Sequence, residues 1–458
     1  MSKQDVKKGL NRREFLQNAA VLGAGLVLGK SAFAEGEAPK APAKMDEINI
    51  ALVGAGAQGQ VLMEAILKIP GIRFKAVCDI WESYNLKKVT GQLKAYKHEV
   101  TGYVDYKDML AAEKNLDAVI IATPDFCHAE QTVASLKAGL HVYCEKEMSN
   151  TLEGAKQIVL AAREAGKLVQ IGHQRRSNPR YIFCRDKLLG EAKLLGRITT
   201  INGQWNRAVQ VDLGVPPKYA IEQAVLEKYG YKSMKQFRNW RWYKGLGGGP
   251  VVDLGSHQID VYNWFLGAKP KAVIASGGID YYDKETHQWY DTVQALYEYE
   301  YEYAPDKKQT VRAFYQTITT NSSNGYYETF LGDEGTLVIS ESAGKGAVYR
   351  EQSAPSWDKW VQKGYLKAVV KKAVKTEEGA IADVRESVPQ ETYELPVTMN
   401  LKYHQLHLQN FFDAMRGKAM LNCPAEQAYE TAVTVLKVND AIEAGRRLEF
   451  KPEEFKVV

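Results

Sequence analysis

"NIALVGAGAQGQ", residues 49–60, sets a short apolar run against a glycine cluster. The run begins at Ile48, and "GQVLMEAILKIP" follows with apolar residues at helical spacing until Pro70 stops it. A buried strand, a tight turn and an amphipathic helix are the opening of a βαβ unit. Outward from there the same alternation repeats. "RFKAVCD" (73–79), "DAVIIATP" (117–124), "HVYCEK" (141–146) and "LVQIGH" (168–173) read as strands, with helical patterns between them, notably at 126–138 and 150–165. The last of these opens on Asn150 with Glu153 three residues on, a cap-like start. Nearly all-apolar strands separated by helices predict a parallel sheet covered on both faces.

That rhythm ends near residue 172. "RITTINGQW", "KAVIASGGIDYY", "TVQALYEYEYEY", "TVRAFYQTITT", "YYETFLG" and "GTLVIS" are alternating, aromatic-rich strands, most without helices between them. They predict an open antiparallel sheet with one solvated face, its aromatics serving as packing. Residues 210–246 and 346–398 read as insertions. The second carries a lysine-rich helix (Lys363, Lys367, Lys371, Lys372) with a solvated face, and helices at 401–417 and 425–444 close the chain. The predicted fold is α/β, with an N-terminal domain over 47–172 and a C-terminal α+β domain over 173–458. There is no internal repeat.

The first 34 residues stand apart. Arg12-Arg13 precede Phe15 and Leu16, a mildly apolar Ala/Gly/Leu/Val run follows, and Ala32-Phe33-Ala34 is a small-x-small cleavage site. This pattern predicts a twin-arginine export signal, too short and glycine-rich for a membrane anchor, then a Pro/Ala/charge linker over 35–46 and a periplasmic mature protein. The whole chain carries a net charge of +5. Six Lys/Arg and two Asp/Glu precede position 35, leaving 54 against 53 over the remaining 424 residues, a net of +1. A balanced surface gives no reason to expect nucleic acid or membrane as a partner. Cys78, Cys127, Cys144, Cys184 and Cys423 lack metal spacing and are odd in number; they read as buried thiols, with one disulfide left open.

The glycines at 54, 56 and 59 follow the first strand and open the first helix, so the spacing G-x-G-x-x-G occurs in the context that gives it meaning. Such a turn lets the backbone approach a pyrophosphate seated on a helix N-terminus. Gly54, Gly56, Gln58 and Gly59 are therefore candidate cofactor residues of a Rossmann dinucleotide-binding domain. Asp79 ends the second strand, where its carboxylate suits ribose hydroxyls and repels a 2′-phosphate, which favours NAD over NADP. "GLGGGPVVDLGSHQIDVYNWFLG", 245–267, places Asp253 and His257 at i, i+4 on one helix face, a spacing suited to a carboxylate orienting an imidazole base. Asp260 falls one turn on, as support or as a helix charge. Lys146 lies between Glu145 and Glu147 at a strand end, and by itself reads either as a turn charge or as a catalytic lysine.

Together these pieces, with "ATPDFCH" (Thr123, Pro124, His128), "CEKE" (144–147) and "GHQRRSNP" (172–179), resemble the glucose–fructose oxidoreductase / inositol dehydrogenase / MocA family across 47–450. The resemblance implies that Thr123, Pro124, His128 and Glu145 border the cofactor. It implies Lys146, Asp253 and His257 as the catalytic set, and Arg176, Trp205, Arg241 and Trp242 around the substrate. It also implies a homo-oligomer formed through the sheet. One position departs: Glu147 replaces a proline that often follows a cis bond in the family. A cis bond before a non-proline residue costs about 3–4 kcal/mol, so a trans peptide with a re-aimed Lys146 is expected here.

Export constrains the reaction, since an exported dehydrogenase meets no free NAD pool. A tightly held nicotinamide must be reset in each turnover, by a second sugar, by an outside acceptor, or by re-reduction of the same molecule. The last is the scheme of NAD-dependent glycosidases related to the family, some acting on N-acetylgalactosaminides, which lack the lysine and the Asp-x-x-x-His helix. Retention of both favours a CH–OH oxidoreductase acting on a sugar or glycoside, with the glycosidase as the alternative. A non-catalytic sugar-binding protein would have lost the glycine turn or His257, and both are present. No metal site is expected.

Overall fold

Side chains of β1 (Ile48–Val53) are apolar on both faces except Asn49, so the strand is stable only at the centre of a covered sheet. It lies between β2 (Ile72–Cys78) and, on its other side, β4 (Ala118–Ile121), parallel to both. With β3 (Thr101–Tyr103), β5 (His141–Cys144) and β6 (Val169–Ile171) the order is β3-β2-β1-β4-β5-β6. The chain builds outward through β3, then returns across β1 to β4. This reversal leaves a crevice at the carboxyl ends of β1 and β4, the place where such sheets bind ligands. The computed structural model describes residues 47–342, 344–369, 389–399 and 401–458, which belong to one unit over 42–458. The expected export signal over 1–34 and the linker over 35–46 lie outside the described residues.

Three helices matter to the crevice: α1 (Ala57–Ile66), α2 (Asp125–Lys137) and α3 (Leu152–Ala165). The cap of α3 is Thr151, whose side chain accepts from Gly154 N, and not Asn150, which instead donates to Gly245 O at 2.9 Å. Asn150 thus ties the first half of the chain to the second.

The second sheet follows the order β14-β15-β13-β12-β11-β7-β10-β9-β8-β16. Its strands are β7 (Ile198–Asn206), β8 (Pro270–Gly278), β9 (Thr292–Ala304), β10 (Lys307–Ile318), β11 (Tyr326–Gly332), β12 (Gly335–Ile339), β13 (Gly346–Arg350), β14 (Lys367–Ala368), β15 (Glu391–Glu394) and β16 (Leu448–Glu449). All six strands read from the alternation are present. The sheet is mixed, not antiparallel throughout, because β7 and β10 pair in parallel. The long connection from β7, which carries α4 (Gly255–Leu266), leads to β8 in the same direction, and the hairpins β8–β9–β10 then bring β10 beside β7 in parallel, a pairing that requires such a crossover. Tyr262 of α4 fixes the helix to the sheet by donating to Phe314 O at 2.9 Å.

The stretch at 346–398 is partly sheet: β13 pairs with β12 and β15 with β13. The lysine-rich helix does not form as read. A short helix ends at Gln362, Lys367 belongs to β14, and Lys371 and Lys372 lie outside the described residues. Residues 210–246 form short helices whose aromatics close around Trp81. The final helices are α5 (Tyr403–Met415) and α6 (Ala425–Ala444). Leu408, Phe411, Phe412 and Met415 of α5 share one core with Ile48, Ile50 and Leu52, so the chain's end covers a face of its first strand. All five cysteines are free and all but Cys127 are buried. Among the described residues, no helix is long and apolar enough to cross a membrane.

The segment after β6 carries two consecutive buried arginines. Arg175 pairs with Glu328 and, at 3.0 Å, with Glu341, while Tyr181 donates to Glu328 Oε2 at 2.7 Å. Arg176 grips Asp260 of α4 through Nε and Nη2 at 2.8–3.0 Å, and Thr431 of α6 donates to the same carboxylate. These pairs lock the segment to the second sheet and to both long helices. Arg175→Met should leave two buried carboxylates unpaired and lower unfolding free energy by about 3–5 kcal/mol in denaturant titration. A loss below about 1 kcal/mol would mean that water or rearrangement replaces the guanidinium.

Candidate active site

At the crevice the chain turns at Gly54 with φ +90°, a region open to glycine. A methyl group at Gly59 would fall 1.9 Å from Gly54 O, so turn and helix pack backbone to backbone. A methyl at Gly56 would meet nothing nearer than Asn85 Nδ2 at 4.0 Å. Gly56 also caps α1 without any side-chain bond, so its open side and the helix's first N–H groups suit a phosphate. Asp79 accepts from Ala55 N at 2.7 Å, Trp81 N at 2.8 Å and Asn85 Nδ2 at 3.3 Å, so it braces the turn as well as ending β2. Burial raises its pKa against those bonds. Gln58 meets His404 of α5 at 3.1 Å, a partner from the far end of the chain.

Thr123, Pro124 and Glu145 line the same cavity, which encloses about 1200 Å³. Thr123 Oγ1 donates to Gln131 at 2.6 Å, and Pro124 caps α2. His128 does not line the cavity. It is buried behind it, Nδ1 2.7 Å from Glu147 O and Nε2 2.8 Å from Thr123 O. Burial pushes its pKa down to about 4 although both carbonyls favour the charged ring, and the neutral ring donates to one of the two turns that carry Thr123 and Lys146.

The Lys146–Glu147 peptide bond is cis, contrary to the trans bond expected from the missing proline. The Glu147 side chain turns inward beneath it, fully buried, with Oε1 accepting from Met148 N at 2.8 Å and Oε2 unpartnered. Lys146 points to the cavity and donates to Asp253 O at 2.5 Å and Asp253 Oδ1 at 3.2 Å. Arg241 reaches the same Oδ1 at 3.2 Å. Burial raises the Asp253 pKa, but Lys146, Arg241 and, farther off, Arg207 outweigh it and hold the carboxyl well below its usual range.

The expected Asp253–His257 pair does not form. The helix breaks at Leu254, between a turn over Pro250–Asp253 and α4, so the i, i+4 geometry fails and Asp253 turns to the cations instead. His257 remains on the cavity wall, 5.5 Å from the Trp205 ring, with Nδ1 buried and unpartnered. Burial, then Lys146, drives its pKa far down, so the ring is a neutral base.

Of the proposed substrate residues, Trp205, Arg241 and Trp242 line the cavity, and Trp205 stacks on Tyr326 at 4.5 Å. Arg176 does not line it, being held by Asp260, which is therefore its buried counter-ion and not a surface helix charge. The sequence reading overlooked Asp125, Arg207 and His404, which also line the cavity. Burial pushes Asp125 up to about 7 beside Lys146. Its position after the Thr-Pro turn was a usable signal, whereas His404 had none. Among the described residues, no group of three or more His, Cys, Asp or Glu is placed to hold a metal.

Residues 48–173 match the oxidoreductase-family model for an NAD-binding Rossmann fold, and 195–450 match that family's C-terminal α/β domain. This chain belongs to the Gfo/Idh/MocA oxidoreductase family. An inositol 2-dehydrogenase of Rubrobacter xylanophilus is 28% identical over 40% of this chain and 50% of its own length. A glycosyl hydrolase family 109 protein of Shewanella baltica is 30% identical over 34% of this chain and 38% of its own. The chain thus spans about half or less of the length of these relatives. The aldose-aldose oxidoreductase structure from Caulobacter crescentus, complexed with glycerol, has a TM-score of 0.62 at 16% identity, covering 88% of this chain and 100% of that one, a likeness of fold.

Burial pushes the Glu147 pKa up from 4.5 to about 8. The native state therefore keeps a proton that the unfolded chain releases. The stability this contributes is complete below about pH 4.5 and lost as pH rises through about 8. Glu147→Gln holds the neutral form throughout, so its melting-temperature advantage over the parent should grow between about pH 5 and about pH 9. A constant difference would mean that Glu147 does not titrate there.

Proposed function

We propose that the chain is an exported NAD-dependent oxidoreductase acting on a carbinol carbon of a sugar or glycoside. The observation that carries this reading is the convergence of Lys146, Asp253, Arg241 and His257 on the cavity that also holds the glycine turn. Gly54, Gly56, Gly59, Asp79, Thr123 and Glu145 would hold the dinucleotide, and Asp79 favours NAD over NADP. Bound there, the nicotinamide supplies a hydride acceptor, and the protein supplies orientation and charge. His257, neutral at the start, takes the hydroxyl proton. Lys146, positioned by the carbonyl and carboxylate of Asp253, donates to the oxygen as negative charge grows on it. Arg241 shares the Asp253 carboxylate, so Lys146 is held without being fully neutralised.

His257→Ala should lower reduction of bound nicotinamide by sugar about 10²–10⁴-fold and leave cofactor content intact. Loss of the cofactor as well would make His257 structural. The relative from glycosyl hydrolase family 109 motivates the second reading, and nitrophenyl glycosides separate the two. Aglycone release without an added acceptor means glycosidase; cofactor reduction by free sugar, with no release, means oxidoreductase.

Retention of the cofactor through turnover is supported by the segment over 217–246, which closes the ribose side of the cavity. Trp81 Nε1 donates to Tyr219 O, and Tyr229 and Lys228 reach Asp105 at 3.0 and 3.2 Å. Phe126 N donates to Leu246 O at 3.3 Å. The double variant Lys228→Met, Tyr229→Phe loosens this segment at Asp105 while leaving Asp105 to cap its own helix. It should lose nicotinamide on prolonged dialysis where the parent keeps it, and equal retention would show that the segment does not hold the cofactor.

A further inference from the structure

Most cations near the chemistry have a carboxylate partner. Lys146 and Arg241 share Asp253, Arg175 is held by Glu328 and Glu341, and Arg176 by Asp260. Arg207 is different. It follows β7 directly, its backbone N donating to Ile318 O at 2.8 Å, so its root is fixed between β7 and β10. Its guanidinium lies 5.5 Å over the Trp205 ring, the ring that also faces His257. Among the described residues, no carboxylate lies within ion-pair distance of it, although it lines the cavity.

Beside the main cavity lies a recess of about 20 Å³, walled by Arg207, Gln210, Arg241, Trp242, Asp253 and Thr319. That volume admits about one water-sized polar group. Its walls carry two guanidiniums, Arg207 and Arg241, against one carboxylate, Asp253, which is already shared with Lys146. A guanidinium fork is suited to a planar carboxylate, and one parked on an aromatic face loses little freedom when it binds. Arg241 spends one contact on Asp253 and keeps other N–H groups for a ligand.

We propose that this recess is a carboxylate subsite, gripped by Arg207 and Arg241, so that the substrate is a uronic acid or a uronate-bearing glycoside. The assignment rests on the sugar-oxidoreductase reading above but is tested by binding, independently of turnover. A neutral sugar would leave the two guanidiniums of the recess with Asp253 as their one shared counter-charge.

The test uses the holoprotein and pairs of methyl glycosides that differ only at C6, glucoside against glucuronide, galactoside against galacturonide and mannoside against mannuronide. Binding is read by quenching of tryptophan fluorescence, with Trp242 on the recess wall and Trp205 beneath Arg207, and turnover by nicotinamide fluorescence. At least one uronide should bind about ten-fold or more tightly than its neutral partner, and the preference should shrink as salt is raised. Arg207→Met should weaken that uronide about ten-fold and its neutral partner less than about two-fold, with Arg207→Lys recovering part of the difference. The inference is overturned if uronides bind no better than neutral partners in every pair, or if Arg207→Met weakens both alike. It is also overturned if sulfated or phosphorylated sugars show the preference and uronides do not. If a uronide binds with the expected preference but never reduces the cofactor, the subsite stands and the oxidoreductase reading falls.

Discussion

The bond from Lys146 Nζ to Asp253 is the joint on which the site depends. Lys146 follows the carboxyl end of β5, in the layer that carries the glycine turn. Asp253 ends the short turn before α4, in the layer that carries the second sheet. One ammonium bonded to both the carbonyl and the carboxylate of Asp253 brings the two layers to within a hydrogen bond of each other. Asp253 gives Oδ1 to both Lys146 and Arg241, and His257 Nδ1 has no hydrogen-bond partner. The acid/base group and the charge-stabilising group are thus separate parts here.

Behind that joint the structure invests heavily in buried charge. Two adjacent arginines, Arg175 and Arg176, point to different partners, one into the sheet through Glu328 and Glu341, the other into α4 and α6 through Asp260. Buried ion pairs add little net stability against an apolar alternative, but they penalise any arrangement that leaves one member unpaired. Their effect is to fix the segment after β6 in one position relative to α4, and so to fix where His257 lies. Glu147, inward and protonated beneath Lys146, and His128, spanning two carbonyls, extend the same polar floor under the cavity.

Much of this was legible in the residues. Ile48 to Val53 and the glycines that follow specify a strand, a backbone-to-backbone turn and a helix, because contacts within a dozen residues decide each of them. The alternation after residue 197 specifies strands for the same local reason. The alternation is silent on direction, so the parallel pairing of β7 with β10 was missed: it depends on where α4 returns the chain. Asp253 and His257 misled because a spacing of four implies one face only if the helix is unbroken, and Leu254 breaks it. Arg176 misled because an arginine near a site reads as a ligand until its partner, 84 residues away, is located. The Lys146–Glu147 peptide was read from the cost of a cis bond alone, whereas its geometry belongs to its surroundings.

What the chain determined by itself was local: strand and helix identity, the glycine turn, the carboxylate at the end of β2 and the residue types of the site. Periodicity and steric limits act over a few residues and need no tertiary context. What only the tertiary structure decided was pairing and protonation. His404 meets Gln58 across 346 residues, and among the described residues no carboxylate lies within ion-pair distance of Arg207. Glu147 keeps its proton and His257 starts neutral, because burial and neighbouring charge are properties of the folded environment and not of the residue.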